Sequence, residues 1–197
     1  MYKGAGALVR RNYDALKSCG DDVSAMAGLL DDLIVEYIKE HRKVETRTGK
    51  SFAPVFRIHW DGDFYSIPYA EAWAQVIRAN PEIQFWVYTR SFIPDCNVIP
   101  TLSGIENLAL YISVDEFNEK YAEAILSSYI DVRPAILTKT YAEGQEKVQQ
   151  LIGRKAPKCP ENAKKVPLVN DKGEGACVTC GLCVYNRGPV LFATSKK

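Results

Sequence analysis

The chain has 197 residues, enough for one domain with a real core and a small appendage, and its 47% hydrophobic and 25% charged residues are the balance of an ordinary globular protein. A net charge of +1 removes any global electrostatic case for nucleic acid or acidic lipid and leaves only local basic patches. The apolar runs are too short to cross a bilayer and no charged-then-apolar leader is read at the N-terminus, so no membrane and a cytoplasmic, reducing compartment are expected.

The first twenty residues, basic and containing Gly4-Ala5-Gly6, read as an arm or an incomplete helix. The glycines are not a phosphate loop, since no strand precedes them and no Gly-Lys-Ser/Thr follows. From Asp22 to about Arg42, Val23, Met26, Leu29, Leu30, Leu33, Ile34, Tyr37 and Ile38 recur at three- and four-residue spacing, which predicts a helix with Asp21 and Asp22 at the positive end of its dipole. Lys43–Ala53 is polar and reads as a loop. Pro54–Trp60 is strand-like, and Ser66 caps a predicted helix that carries Pro68 and runs to about Ala79. Ile83–Thr89 is the next strand, Pro94–Gly104 a loop with room for a helical turn, and Asn107–Ser113 the third strand. A helical pattern through Phe117, Tyr121, Ile125 and Leu126 follows, then a strand at Arg133–Lys139 and a helix at Ala142–Ile152. Trp60, Phe64, Trp73, Phe85 and Trp86 read mainly as core.

Strand starts about 24–29 residues apart, with a helix between them, suit right-handed crossover units of a parallel sheet. The expected fold is therefore α/β: repeated β-α units forming either a partial TIM-like barrel or an open sheet, over residues 1–153. After Gly153 the composition turns to Lys, Pro, Gly and Cys, which marks residues 154–197 as a cysteine-rich metal-binding appendage.

That appendage holds Cys159-Pro160 and Cys177-Val-Thr-Cys180-Gly-Leu-Cys183. Two-residue gaps let successive sulfurs converge on one centre, and three such thiolates with a remote Cys-Pro follow ferredoxin-style ligation of a 4Fe-4S iron–sulfur cluster. Zinc, Zn2+, on the same four ligands is the alternative. Lys172, Gly173, Gly175 and Gly181 beside the cysteines cannot build an apolar core around them. Four protein thiolates make a closed site that holds shape or passes electrons. Cys19 and Cys96 have no partner spacing and read as structural.

In parallel sheets, chemistry sits where strands end. Here the four strands break into His59-Trp60-Asp61-Gly62-Asp63, Tyr88-Thr89-Arg90, Ser113-Val114-Asp115 and Thr138-Lys139. His59, Asp61, Asp63 and Asp115 are the candidate acid, base or nucleophile, and Arg90 and Lys139 suit a phosphate or carboxylate on a substrate. Trp60 could stack on a base or ring. The plainer alternative is that Asp61-Gly62-Asp63 is a turn and Arg90 pairs with Asp115.

Phe56–Phe64 (FRIHWDGDF), then Tyr69, Trp73, Pro81, Phe85 and Tyr88-Thr89-Arg90, with the tail cysteines and Val190-Leu191-Phe192, together resemble the phage gene product 88 family. The resemblance runs over most of the chain and implies a phage-type metalloprotein of the host cytoplasm, without fixing a reaction. Longer members carry a cysteine-rich segment upstream, ending near a Cys-Tyr pair, which resembles the cluster loop of radical S-adenosylmethionine enzymes. This chain begins Met1-Tyr2 at about that point, which leaves open a natural short form, a truncated gene, or one part of a split protein whose second polypeptide supplies the segment. Three readings stay open: an iron–sulfur enzyme acting on a small molecule, nucleotide or nucleic acid; a zinc-containing, transglycosylase-like modifier of nucleic acid; and a non-catalytic metal-stabilised binding protein.

Overall fold

Asp22 starts the long helix: its carboxylate accepts the Ala25 amide at 2.9 Å, and its own backbone is extended. In the computed structural model, which describes residues 5–171 and 175–194, this helix (α2, Val23–Thr48) follows a first helix, α1, at Ala5–Ser18. The expected arm is thus helical, though most of its side chains are exposed. α2 also runs on through the stretch that reads as a loop. Its last turns lose the apolar stripe but keep helix-compatible residues, the Lys43–Glu40 pair, and a left-handed Gly49 that ends the helix (φ 64°). Polarity alone hides a helix that has left the core.

The sheet follows the predicted rhythm. β1 (Val55–Ile58), β2 (Gln84–Thr89), β5 (Leu108–Val114) and β6 (Arg133–Thr138) pair in parallel in that order. A fifth strand, β7 (Val190–Ala193), pairs with β6. Between them lie α3 (Ile67–Ala79), capped by Ser66; a short hairpin, β3 (Phe92–Ile93) with β4 (Cys96–Asn97); α4 (Ile99–Leu102); α5 (Glu119–Ser128); and α6 (Tyr141–Ile152), opened by a Thr140/Glu143 capping box. α5 begins after Phe117, which is exposed in the preceding turn and not on a helix face.

The strand order never reverses. Right-handed crossovers in a sequential order keep every crossover helix on one face, whereas an open doubly wound sheet needs a reversal to cover both. Of the two architectures the sequence allows, this is the partial barrel: a five-stranded parallel half-barrel. Its free edge at β1 is covered by α2, where the Tyr37 hydroxyl donates to the Val55 carbonyl (2.8 Å) and accepts the Val55 amide (2.9 Å).

Period-two alternation assigns the faces. Phe85, Val87, Leu108, Leu110, Ile112, Val114, Ile136 and Leu191 face the helices and form the main core with Trp73, Ile77 and Met26. Trp86, Ala109, Tyr111, Ala135 and Val190 face the other way, joined by half-buried Val55, Tyr88 and Phe192. Against this inner face pack Cys159, Cys177, Leu182, Cys183 and Val184.

The tail reaches the inner face by a defined route. The Cys159 amide donates to Leu191 O at 2.8 Å and the Leu191 amide to Pro157 O at 3.0 Å, a parallel bridge on the outer side of β7. The Asn162 carboxamide holds Ala193 through both its amide and its carbonyl, and accepts the Tyr141 hydroxyl at 2.6 Å. α7 (Ala176–Cys180) carries two of the cysteines and ends at Gly181, where a left-handed φ of 67° favours glycine and a Cβ would sit in tight contact, 3.3 Å from the Tyr185 ring. Lys172 and Gly173 lie outside the described residues. No helix among the described residues is long and apolar enough to cross a membrane.

Candidate functional site

The strand-end residues are drawn into two different jobs. Asp63 faces the end of β2: its carboxylate accepts the Thr89 hydroxyl (2.6 Å), the Arg90 amide (2.6 Å) and its neighbour Phe64 amide (2.7 Å). It ties the β1–α3 loop to the tip of β2. Asp61 accepts the Gly62 amide at 3.0 Å in an exposed turn. Arg90 is ion-paired with Asp115, whose other oxygen accepts the Phe117 amide at 3.0 Å. Burial pushes the Asp115 carboxyl up, but the Arg90 guanidinium and the backbone amides outweigh it and hold the group below the usual aspartate range. The Lys139 side chain is exposed on the same rim.

His59 departs from the pattern. Alternation along β1 would turn it to the inner face, but its backbone is left-handed (φ 57°), unusual outside glycine, and its ring lies on the helix side. There it stands 4.6 Å from the Phe64 ring, and its Nε2 is 3.0 Å from the Tyr69 hydroxyl. Nδ1 is buried without a hydrogen-bond partner among the described residues. Burial holds the imidazole down to about 4, only partly opposed by Asp63, so it is neutral at physiological pH. The same reversal throws Trp60 outward: it is 79% exposed, not core as its composition suggests.

The inner face is where the sulfurs gather. Cys183 is buried, while Cys159, Cys177 and Cys180 are half-buried; all are free thiols. Burial pushes the Cys183 thiol up to about 12, eased by the Tyr88 hydroxyl beside it and raised further by Cys177, Cys159 and Cys180. Burial also raises Cys159, with Cys180 adding to the rise, and Cys177, with Cys159 and Cys180 adding to it. The four thiols are thus electrostatic neighbours. They are not drawn into a coordination sphere, since no three His, Cys, Asp or Glu side chains among the described residues stand close enough to hold a metal ion.

The cysteine loop is fastened from below by Tyr111, whose hydroxyl donates to Gly188 O at 2.9 Å and lies 3.4 Å from Leu182 O. Asn186 ties its far side to the Asp131 carbonyl at 2.9 Å. The Arg57 guanidinium lies 5.3 Å from the Tyr88 ring and 5.2 Å from the Trp60 ring. The Trp86 indole N–H is buried on this face with no acceptor among the described residues. A shallow cleft of about 440 Å³, lined by His41, Arg42, Glu45, Phe52 and Glu82, lies instead at the N-terminal end of the strands, opposite the rim.

The gene product 88 family model matches residues 2–186, which takes in the first four strands of the half-barrel and all four tail cysteines and ends before β7. The chain belongs to the gene product 88 family. Two family relatives are the gene 88 protein of Mycobacterium phage L5, 37% identical over 99% of this chain and 74% of its own, and that of Mycobacterium phage D29, 35% identical over the same shares. No solved structure matches. Sequence alone assigns no individual role to Arg57, Tyr88 or Tyr111 of this gene product 88 protein. Their signal is a shared parity: each stands among the inner-facing positions of its strand, in VFRI, QFWVYT and LALYISV.

Proposed function

We propose that this gene product 88 family member is an iron–sulfur enzyme whose centre, held by Cys159, Cys177, Cys180 and Cys183, sits on the inner face of the half-barrel. Its ligand mouth is the polar rim at the strand C-terminal ends. What supports the reading is the cysteine spacing, together with the packing of Cys159, Cys177 and Cys183 against one inner face, with Cys180 on the same short helix as Cys177.

The residue types suit such a group, while no three of them stand close enough to hold an ion among the described residues. As thiolates these sulfurs would disfavour one another, and burial disfavours the ionised forms of Cys159, Cys177 and Cys183. A metal reverses that balance, because a coordinated thiol ionises outright. Cluster sulfurs accept hydrogen bonds, and the face offers the Tyr88 hydroxyl and the unpartnered Trp86 N–H. Three closely spaced cysteines with a remote Cys-Pro favour iron over zinc. A closed four-thiolate cluster supplies electron transfer or shape, so substrate contacts fall to the rim: Trp60, Arg90, Asp115, Lys139 and the exposed Asp61. His59 and Asp63 hold that rim in place. A reducing host cytoplasm is the compartment such a centre needs.

The test is anaerobic purification of the full chain with analysis for iron, sulfide and zinc. The reading expects stoichiometric iron and sulfide with thiolate-to-iron absorbance, lost in Cys177→Ala and Cys183→Ala. Colourless protein with stoichiometric zinc would replace the cluster by the zinc centre, and protein free of all three would end the metal reading.

A further inference from the structure

Trp60 and Arg57 form one unit at the end of β1. The left-handed His59 turns the indole out to solvent, where it is 79% exposed, and the Arg57 guanidinium lies over one of its faces, 5.2 Å from the ring, leaving the other face open. The guanidinium also meets the Tyr88 ring at 5.3 Å, and its Nε donates to the His59 carbonyl at 3.2 Å. Two rings and a carbonyl hold the side chain in place, because a planar guanidinium stacks where a flexible ammonium would swing away. Its two terminal nitrogens have no hydrogen-bond partner and no carboxylate among the described residues, whereas Arg90 at the neighbouring strand end is paired with Asp115. Asp61, next after Trp60, gives one carboxylate oxygen to the Gly62 amide at 3.0 Å, and its other oxygen accepts no bond among the described residues.

We propose that Trp60 and Arg57 bind a nucleoside monophosphate, the base stacking on the open face of the indole and the phosphate taking the free edge of the guanidinium. This rests on the reading of the strand-end rim as the ligand mouth, names the substrate class for it, and requires no metal. A base stacks on an aromatic side chain whatever its hydrogen-bonding edge, since every base has a π face. A guanidinium edge presents parallel N–H donors that match two phosphate oxygens and adds the opposite charge. Held 5.2 Å apart, the two groups ask for a flat ring and an oxyanion in one small molecule. A bare oxyanion would leave the indole in water, and an uncharged ring would leave the guanidinium without an anion. A nucleotide carries both, joined by a sugar whose hydroxyls suit the free oxygen of Asp61. The net charge of +1 favours a single nucleotide over a long polyanion.

The experiment is calorimetric titration of the full chain with the monophosphates of the common ribonucleosides and with the nucleosides themselves, in wild type, Trp60→Ala, Arg57→Gln and Lys139→Gln. Wild type should bind at least one monophosphate about 10–100-fold more tightly than its nucleoside, and R57Q should lose that difference. W60A should weaken monophosphate and nucleoside alike, by about 5–100-fold. A wild type that binds no monophosphate, or binds it no better than the nucleoside, overturns the proposal. Affinity kept in W60A and R57Q but lost in K139Q puts the ligand elsewhere on the rim and overturns the proposal alone; affinity kept in all three variants overturns the rim reading with it. Trp60 is exposed, so W60A decides the matter even if R57Q does not fold: unchanged monophosphate affinity in W60A overturns the stacking platform.

Discussion

The Tyr111 hydroxyl, on the central strand of the half-barrel, donates to the Gly188 carbonyl at 2.9 Å and so fastens the cysteine loop to the sheet across 77 residues of chain. Tyr111 is fully buried, and burial pushes its phenol up, so the hydroxyl is a permanent donor. The loop that carries three of the four cysteines is thus held by a side chain from β5 as well as by β7.

Tyr111→Phe keeps the ring and removes that bond. The cost should be about 1–2 kcal/mol of unfolding free energy in urea, since a buried carbonyl is left without its donor. Amide exchange should quicken between residues 182 and 190 more than in β2. Uniform exchange with unchanged stability would show that the loop is held by packing alone.

Asp63→Ala removes one carboxylate and strands the Thr89 hydroxyl and the Arg90 amide. Bonds to a charged acceptor are the stronger kind, and a loss of about 3 kcal/mol is expected. Thermal melting of D63A beside Asp61→Ala is the check. D61A, exposed in its turn, should melt like wild type, and equal effects would contradict the division of labour between the two carboxylates.

The two carboxylates also show where sequence stops being informative. The half-barrel rhythm was readable, because buried parallel strands are short apolar runs and Ser66, Thr140 and Gly153 punctuate the helices by local chemistry. β7 is not legible as a strand, since four residues, VLFA, carry too little pattern on their own. Nor does anything local distinguish Asp63 from Asp61. What separates them is a partner in β2, 26 residues further on. His59 is a sharper case: strand alternation places it on the inner face, and one positive φ puts it on the other. The inner face was legible in principle, as Arg57, Tyr88 and Tyr111 share one parity along their strands, but such runs read first as uniformly buried.

His59 gives a pH prediction. Its folded value is held down to about 4 against an ordinary 6.5. Above about pH 6.5 the imidazole is neutral in both states and contributes nothing. As pH falls from about 6.5 to about 4, the unfolded chain takes up a proton that the folded chain refuses, and stability drops by about 3 kcal/mol; below that the loss is constant. His59→Asn, which tolerates the left-handed backbone, should remove this part of the pH dependence. Parallel wild-type and H59N curves of unfolding free energy against pH would show that the imidazole is not kept neutral by burial.

Absorption-edge fine structure of the metal retained by the anaerobically purified chain tests the metal centre most directly. Four sulfur neighbours at about 2.3 Å are predicted, with a second shell of iron if the centre is a cluster. A first shell of oxygen and nitrogen, or a sulfur shell that survives removal of Cys159, Cys177, Cys180 and Cys183, would contradict it.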